Sequence, residues 1–190
     1  MYNIKYPQMK TLETKRCILR PATLKDTADL FEYYQQEKVV KFLPFNKHKN
    51  IQDTHNFIKL FFLDNYKKGK IGHFVIVSKK SKKVIGNVGF NNISQDSKEG
   101  EMGICINPSY WGNDLSTELA VEMLRFGFED LKLNRIIAIL YEENVYSKKP
   151  LEVLGFNFVG KFIRKITSTK PHKSVICYKY EMMRNNYFNN

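Results

Sequence analysis

A chain of 190 residues with 43% hydrophobic and 26% charged side chains is long enough for one well-buried domain and short for two, and its composition is neither disordered nor fibrous. No apolar run approaches the ~18 residues of a membrane span, and the start MYNIKYPQMK lacks the apolar core of a signal peptide, so a cytoplasmic location is expected. The net charge of +12 predicts attraction to acidic partners, yet the lysines are scattered rather than gathered into one arm, and charge alone selects no function.

RCILRP, residues 16 to 21, reads as a strand ending at a proline. TLKDTADLFEYYQ follows at helical spacing, with Leu24, Ala28, Leu30, Phe31 and Tyr34 apolar and Thr23 able to cap. A second helix is predicted over 53–66, with Phe57, Leu60, Phe61 and Tyr66 on one side. The period then changes. GHFVIVS (72–78), KVIGNVGF (83–90) and EMGICIN (101–107) are short runs rich in β-branched and aromatic residues. SKKSKK suits a hairpin between the first two, and NNISQDSKEG a longer turn before the third.

Beyond Pro108 a long amphipathic helix is predicted, burying Leu115, Leu119, Met123, Leu124, Phe128 and Leu131. RIIAIL (135–140) reads as a strand covered on both faces. SKKPLEVLGF encodes a short helix with Ser147 as N-cap, Pro150 in the first turn and Gly155 at the C-terminal cap. FNFVG and SVICYKYEM (174–182) supply the last strands, and the tail RNNYFNN is expected to fray. This order describes a single α/β (α+β) domain over 1–190, with its core at about 10–182 and a strand–helix–strand unit at its centre. The loop YWGNDLSTELA lies between that unit's first strand and its helix, where free N–H groups favour an anionic ligand. Cys17, Cys105 and Cys177 read as small buried hydrophobes without metal spacing, and His48, His55, His73 and His172 as incidental.

The segment EMGICINPSYWGNDLSTELAVEMLRFGFEDLKLNRIIAIL, followed by EENVYSKKPLEVLGF, resembles the GNAT superfamily of acetyl-coenzyme A-dependent N-acetyltransferases. It is most similar to the branch containing the ribosomal-protein N-terminal serine and alanine acetyltransferases. The branch's pyrophosphate loop corresponds to Trp111, Gly112, Asn113, Asp114, Leu115, Ser116, Thr117 and Glu118. A second and more specific motif corresponds to Asn144, Ser147, Lys149, Glu152, Gly155 and Phe156. The resemblance implies a mixed, mostly antiparallel twisted sheet flanked by helices and splayed between its fourth and fifth strands, 101–107 and 135–140. It implies acetyl-CoA as co-substrate and no metal. Pantetheine would lie along Ile104, Cys105 and Ile106, with pyrophosphate on the amides of 112–117.

Two departures stand out: Pro150 replaces an ordinary helix residue, and Asp114 replaces the usual glycine. Aspartate tolerates a left-handed backbone, but its charge opposes a pyrophosphate by roughly 3 kcal/mol at about 5 Å and an effective dielectric of about 20, unless the carboxylate points outward.

Acetyl transfer to an amine needs a proton acceptor for the amine, a donor for the oxyanion and a proton for the thiolate. Glu101 is the candidate base, directly or through a water, against the plain alternative of a solvated strand carboxylate. Ser147 is the candidate acid by carry-over, with Tyr141 and Tyr146 as further donors. Asn144 would hydrogen-bond pantetheine, and Lys149 would neighbour the cofactor phosphates. Residues 36–50 and 163–173 should border the acceptor site; they hold few acids, which favours a peptide N-terminus or a small amine over a polycation. A monomer or homodimer is expected, without membrane or nucleic-acid partners. The competing readings on the same fold are an acyl-CoA sensor without turnover and a basic ribosome- or RNA-binding module.

Overall fold

The computed structural model describes residues 9–169 and 171–189; most of the N-terminal start read above, Lys170 of the second acceptor-bordering segment, and Asn190 lie outside the described residues. Strands β1 (Leu12–Glu13) and β2 (Cys17–Pro21) lead through a short 3-10 turn into helices α1 (Thr27–Tyr34) and α2 (Glu37–Val40). Next come α3 (Ile51–Phe57), a π-helical segment Ile58–Leu63, and α4 (Asp64–Lys67). The meander β3 (His73–Ser78), β4 (Val84–Ser94) and β5 (Glu99–Ile106) precedes α5 (Leu115–Arg125) and a π segment Phe126–Asp130. Strand β6 (Arg135–Tyr141), helix α6 (Val145–Val153), strands β7 (Asn157–Ile166) and β8 (Lys173–Met183), and helix α7 (Arg184–Asn189) complete the chain.

Among the described residues the strands form one sheet in the order β1-β2-β3-β4-β5-β6-β8-β7, antiparallel throughout except for β5 with β6. Alternation along the strands feeds two cores. Phe74, Ile76, Val88, Phe90 and Met102 pack on one face with Leu119, Met123 and Leu124 of α5. Val75 and Val84 pack on the other face with Leu30, Tyr33 and Tyr34 of α1 and Ile58 and Phe62 of the π segment.

The parallel pair positions the site. Its register runs only from Glu99↔Arg135 to Met102↔Ala138, after which β5 continues on β4 while β6 turns away with β8. The sheet is therefore open between residues 103–106 and 139–141. This is the expected splay, one strand later in the count because β1 was not foreseen.

Several expectations need correction. Helix α1 buries Thr27, Leu30, Tyr33 and Tyr34, whereas Leu24 is exposed, because the first turn is 3-10 rather than α and shifts the phase. Leu60 is 70% exposed, since the π segment turns Ile58 and Phe62 inward instead. Asn91 to Ser94 belong to β4: the register shifts at Asn91 and Asn92, and Ile93 and Ser94 then pair with Gly100 and Glu99, so the turn is shorter than the polar composition implied. The tail is helical: Tyr187 stacks on Phe128 with ring centroids 5.0 Å apart and donates to Glu129 Oε1 at 2.7 Å.

Candidate active site

The opening exposes a strand edge. Asn107 N–H donates to the Ile85 carbonyl at 2.7 Å, so by the alternation of an antiparallel ladder Cys105 also turns its backbone groups toward β4. Ile104 and Ile106 turn theirs away from β4, into the opening. Of these, the Ile106 carbonyl accepts from Trp111 Nε1 at 2.8 Å. Cys105 thus contributes nothing to this edge. Burial pushes its thiol up to about 12, the reverse of what a nucleophile needs.

The loop after β5 is wound left-handed over three residues, with φ of 86° at Gly112, 53° at Asn113 and 52° at Asp114. Non-glycine residues resist this conformation by roughly 1–2 kcal/mol each, and Asn and Asp resist it least. A clamp holds it. Arg16, at the entry to β2, donates from Nη1 to the Asn113 carbonyl at 2.7 Å and from Nε to Glu118 Oε2 at 2.5 Å, while its backbone N–H reaches Glu118 Oε1 at 2.8 Å. Burial raises the Glu118 carboxyl, but hydrogen bonds from Thr14 and Arg16 outweigh it and hold the group below its ordinary value. Asp114 precedes α5 without a side-chain capping bond and is exposed. Leu115 is buried, Ser116 and Thr117 open the helix, and Trp111 stands half-exposed with Lys38 Nζ 5.9 Å from its ring centroid.

Glu101 lies on the α1 face of β5 beside the last paired rungs. Its Oε1 accepts from Asn91 Nδ2 at 3.1 Å, and its Oε2 lies 3.8 Å from Arg164 Nη2. Asn91 Oδ1 faces His73 Nε2 at 2.9 Å, and His73 Nδ1 faces Asn87 Nδ2 at 2.9 Å. Asn87 Oδ1 accepts from the hydroxyls of Tyr34 at 2.7 Å and Tyr33 at 3.2 Å. Burial holds the His73 imidazole neutral, down to about 4. His73 is therefore not incidental in the structure. His73, Asn91 and Arg164 escaped the sequence reading. The available signal was the polar Asn87 within the apolar run VIGNVGF, because a buried amide requires partners.

Tyr141 ends β6 at the mouth of the opening. It is 8% exposed, and its hydroxyl has no hydrogen-bond partner among the described residues. Tyr141 pairs and packs with Cys177 of β8, and Arg164, which faces Glu101, lies on the neighbouring strand β7. Phe42 meets the Tyr141 ring edge-on at 6.4 Å, and the Ser168 hydroxyl donates to the Pro44 carbonyl. The two segments expected to border an acceptor therefore touch each other over this end of β6.

Helix α6 begins one turn earlier than expected. Asn144 is its N-cap, not Ser147, whose N–H donates to the Asn144 carbonyl at 3.2 Å. Ser147 is half-buried and its hydroxyl is free of partners among the described residues. Pro150 consequently sits in the body of the helix, not its first turn. At the other end Gly155 (φ 84°) donates to Glu152 and Phe156 to Leu151, closing the helix as its sequence implied. Lys149 and Tyr146 are exposed.

A strand edge facing an opening, a left-handed loop on the N-terminus of an eleven-residue helix, and an orphaned buried hydroxyl at the mouth fit an extended ligand with an anionic end. No group of His, Cys, Asp and Glu suited to a metal occurs among the described residues.

Residues 16–157 match the family described as Acetyltransferase (GNAT) domain. The chain is 29% identical over 179 residues to the uncharacterized N-acetyltransferase p20 of Bacillus licheniformis, covering 94% of this chain and 99% of that one. Its fold is similar to the ribosomal-protein-S5-alanine acetyltransferase of Vibrio fischeri, with a TM-score of 0.76, 19% identity and coverage of 94% and 98%. It is likewise similar to the microcin C7 self-immunity acetyltransferase MccE in complex with acetyl-CoA and AMP, with a TM-score of 0.75, 22% identity and coverage of 89% and 93%.

Proposed function

The chain belongs to the GNAT acetyltransferase family, and from that premise we propose that it moves an acetyl group directly to a primary amine, either a peptide N-terminus or a small amine of low positive charge. Acetyl-CoA, the family's co-substrate, supplies the activated thioester. The backbone of Ile104 and Ile106 and the amides of Gly112 to Thr117 would hold it, with Asn144 and Lys149 alongside. Glu101 takes the proton that the acceptor amine loses as its nitrogen bonds to carbon. Ser147 returns one to the departing thiolate, and the Tyr141 hydroxyl steadies the oxygen on which negative charge gathers. A covalent enzyme intermediate is unnecessary. The whole chain acts as one domain.

The observation that carries this reading is Glu101, an amide-anchored carboxylate on the last paired rungs, where the opening between β5 and β6 begins. Arg164, Lys165 and Lys173 around the same end oppose a polycationic acceptor. Calorimetry with acetyl-CoA, followed by free-thiol release over a panel of amines and N-terminal peptides, tests it. Binding together with release by at least one neutral or singly charged amine is the expected result. Binding without release by any of them would mark a sensor, and absence of binding would overturn the reading.

A further inference from the structure

Four strand residues and two tyrosines form one continuous hydrogen-bonded line from the core beneath α1 to Glu101. Each member's donor or acceptor role follows from the last. An ionised carboxylate only accepts, so Asn91 must present Nδ2 to Glu101 and therefore Oδ1 to His73. His73 must then carry its proton on Nε2, which leaves Nδ1 to accept from Asn87. Asn87 in turn shows Oδ1 to the two tyrosine hydroxyls. Turning over either amide or the ring would set donor against donor or acceptor against acceptor, along a row that is buried from the tyrosines to His73 and exposed at Asn91.

The sheet is shaped to admit this line. His73, Gly89 and Gly103 are cross-strand neighbours in one rank. A Cβ at Gly89 would stand 2.5 Å from the His73 Cα, and one at Gly103 would stand 3.1 Å from Asn91 Nδ2 and 3.3 Å from His73 Cε1. Gly89 thus lets the backbone of β3 come close, and Gly103 clears the floor on which the imidazole and the amide lie. The Phe61 ring lies against the imidazole at 5.1 Å, and burial keeps it neutral.

We infer that His73 and Asn91 are positioning residues for Glu101: the line fixes the carboxylate's rotamer and occupies Oε1, leaving the proton to Oε2, whose neighbour Arg164 Nη2 stands 3.8 Å away, beyond hydrogen-bond distance. The inference rests on Glu101 being the base, and it deepens that reading. The charged and titratable groups facing Glu101 are Arg164 on β7, Cys177 on β8 and, through Asn91, His73 on β3. Two residues back on β5, Glu99 is already bound by Arg135, which also takes Glu181.

Nuclear magnetic resonance of the full chain tests the line without any acceptor. The nitrogen shifts of His73 should report the neutral Nε2–H form from pH 6 to 8. The His73 nitrogen shifts and the Glu101 side-chain carboxyl carbon shift at pH 7 should both move in Asn91→Ala, which removes the amide joining the two groups. Asn91 is an exposed residue, so a change there should leave the fold intact. Gly103→Ala, which leaves every charge in place, should broaden or shift the same signals. An Nδ1–H or charged His73, or a Glu101 carboxyl signal indifferent to Asn91, would overturn the inference. Glu101→Gln separates it from its premise: turnover that survives this change, measured with an amine from the thiol-release panel, removes the base while leaving the measured line intact.

Discussion

Arg16 Nη1 donates to the Asn113 carbonyl at 2.7 Å, joining the entry of β2 to a loop 97 residues further on. The carbonyl belongs to the middle of three consecutive left-handed residues, so the bond acts where the backbone is least content. The same guanidinium grips Glu118 one turn into α5. The loop's shape is thus held from outside its own segment.

Arg16→Ala should weaken acetyl-CoA binding by roughly two- to fivefold, with a modest fall in melting temperature. The guanidinium is partly exposed, which keeps the effect near about 0.3–1 kcal/mol. Titration calorimetry measures it. Unchanged affinity with lowered melting temperature would confine the clamp to stability.

Asp114→Gly should tighten acetyl-CoA several-fold, because it removes a carboxylate from the mouth of the loop at φ 52°, a conformation glycine adopts freely. The gain should shrink at high salt. Weaker binding by the variant would mean that the carboxylate makes a contact with the ligand or its water.

Tyr141→Phe should lower turnover by about 10²–10³ while leaving the fold equally stable or more so. Its hydroxyl is buried without a partner among the described residues, a state that costs about 1–3 kcal/mol, and one donor aimed at developing charge is worth that factor in rate. Ser147→Ala should slow transfer by about 10²–10⁴ with no change in melting temperature, since Asn144 occupies the capping position. A drop in melting temperature for Ser147→Ala would restore a structural role to its hydroxyl.

Acid should destabilise the chain in a window set by histidine. His73 is held down to about 4 in the fold, below its ordinary 6.5, so the unfolded chain protonates first. Its contribution is complete above about pH 6.5 and is lost as pH falls toward about 4, by roughly 3 kcal/mol in total. Buried His48 shifts in the same direction and adds to the slope. Denaturant midpoints measured from pH 7 to pH 4.5 should decline, and the decline should be shallower in His73→Gln.

The strands were legible because β-branched runs alternate with polar turns, and the loop and α6 because their motifs fix local backbone. What escaped notice depends on other segments. NNIS reads as a turn by composition, but β5 offers Ile93 and Ser94 a ladder and they pair. Ser147 resembles a cap until Asn144, fixed by the end of β6, takes the position. The tail frays in isolation and folds against Phe128 and Glu129 in context. His73 and Asn91 lie 18 residues apart on adjacent strands, and nothing local announces that they meet.

The seam between β5 and β6 is fastened at one end only. At Glu99 and Arg135 it is bound by register, by the ion pairs of Arg135 with Glu99 and Glu181, and by α7, whose Arg184 reaches the Phe128 carbonyl from the end of β8. Four residues later all pairing stops. Mechanically the domain is a clothes-peg: two leaves sprung from a common pivot, with jaws that part along 103–106 and 139–141. Amide hydrogen exchange should therefore grade along β6, slowest at the pivot and fastest toward Tyr141. A molecule gripped in the jaws should slow that far end most.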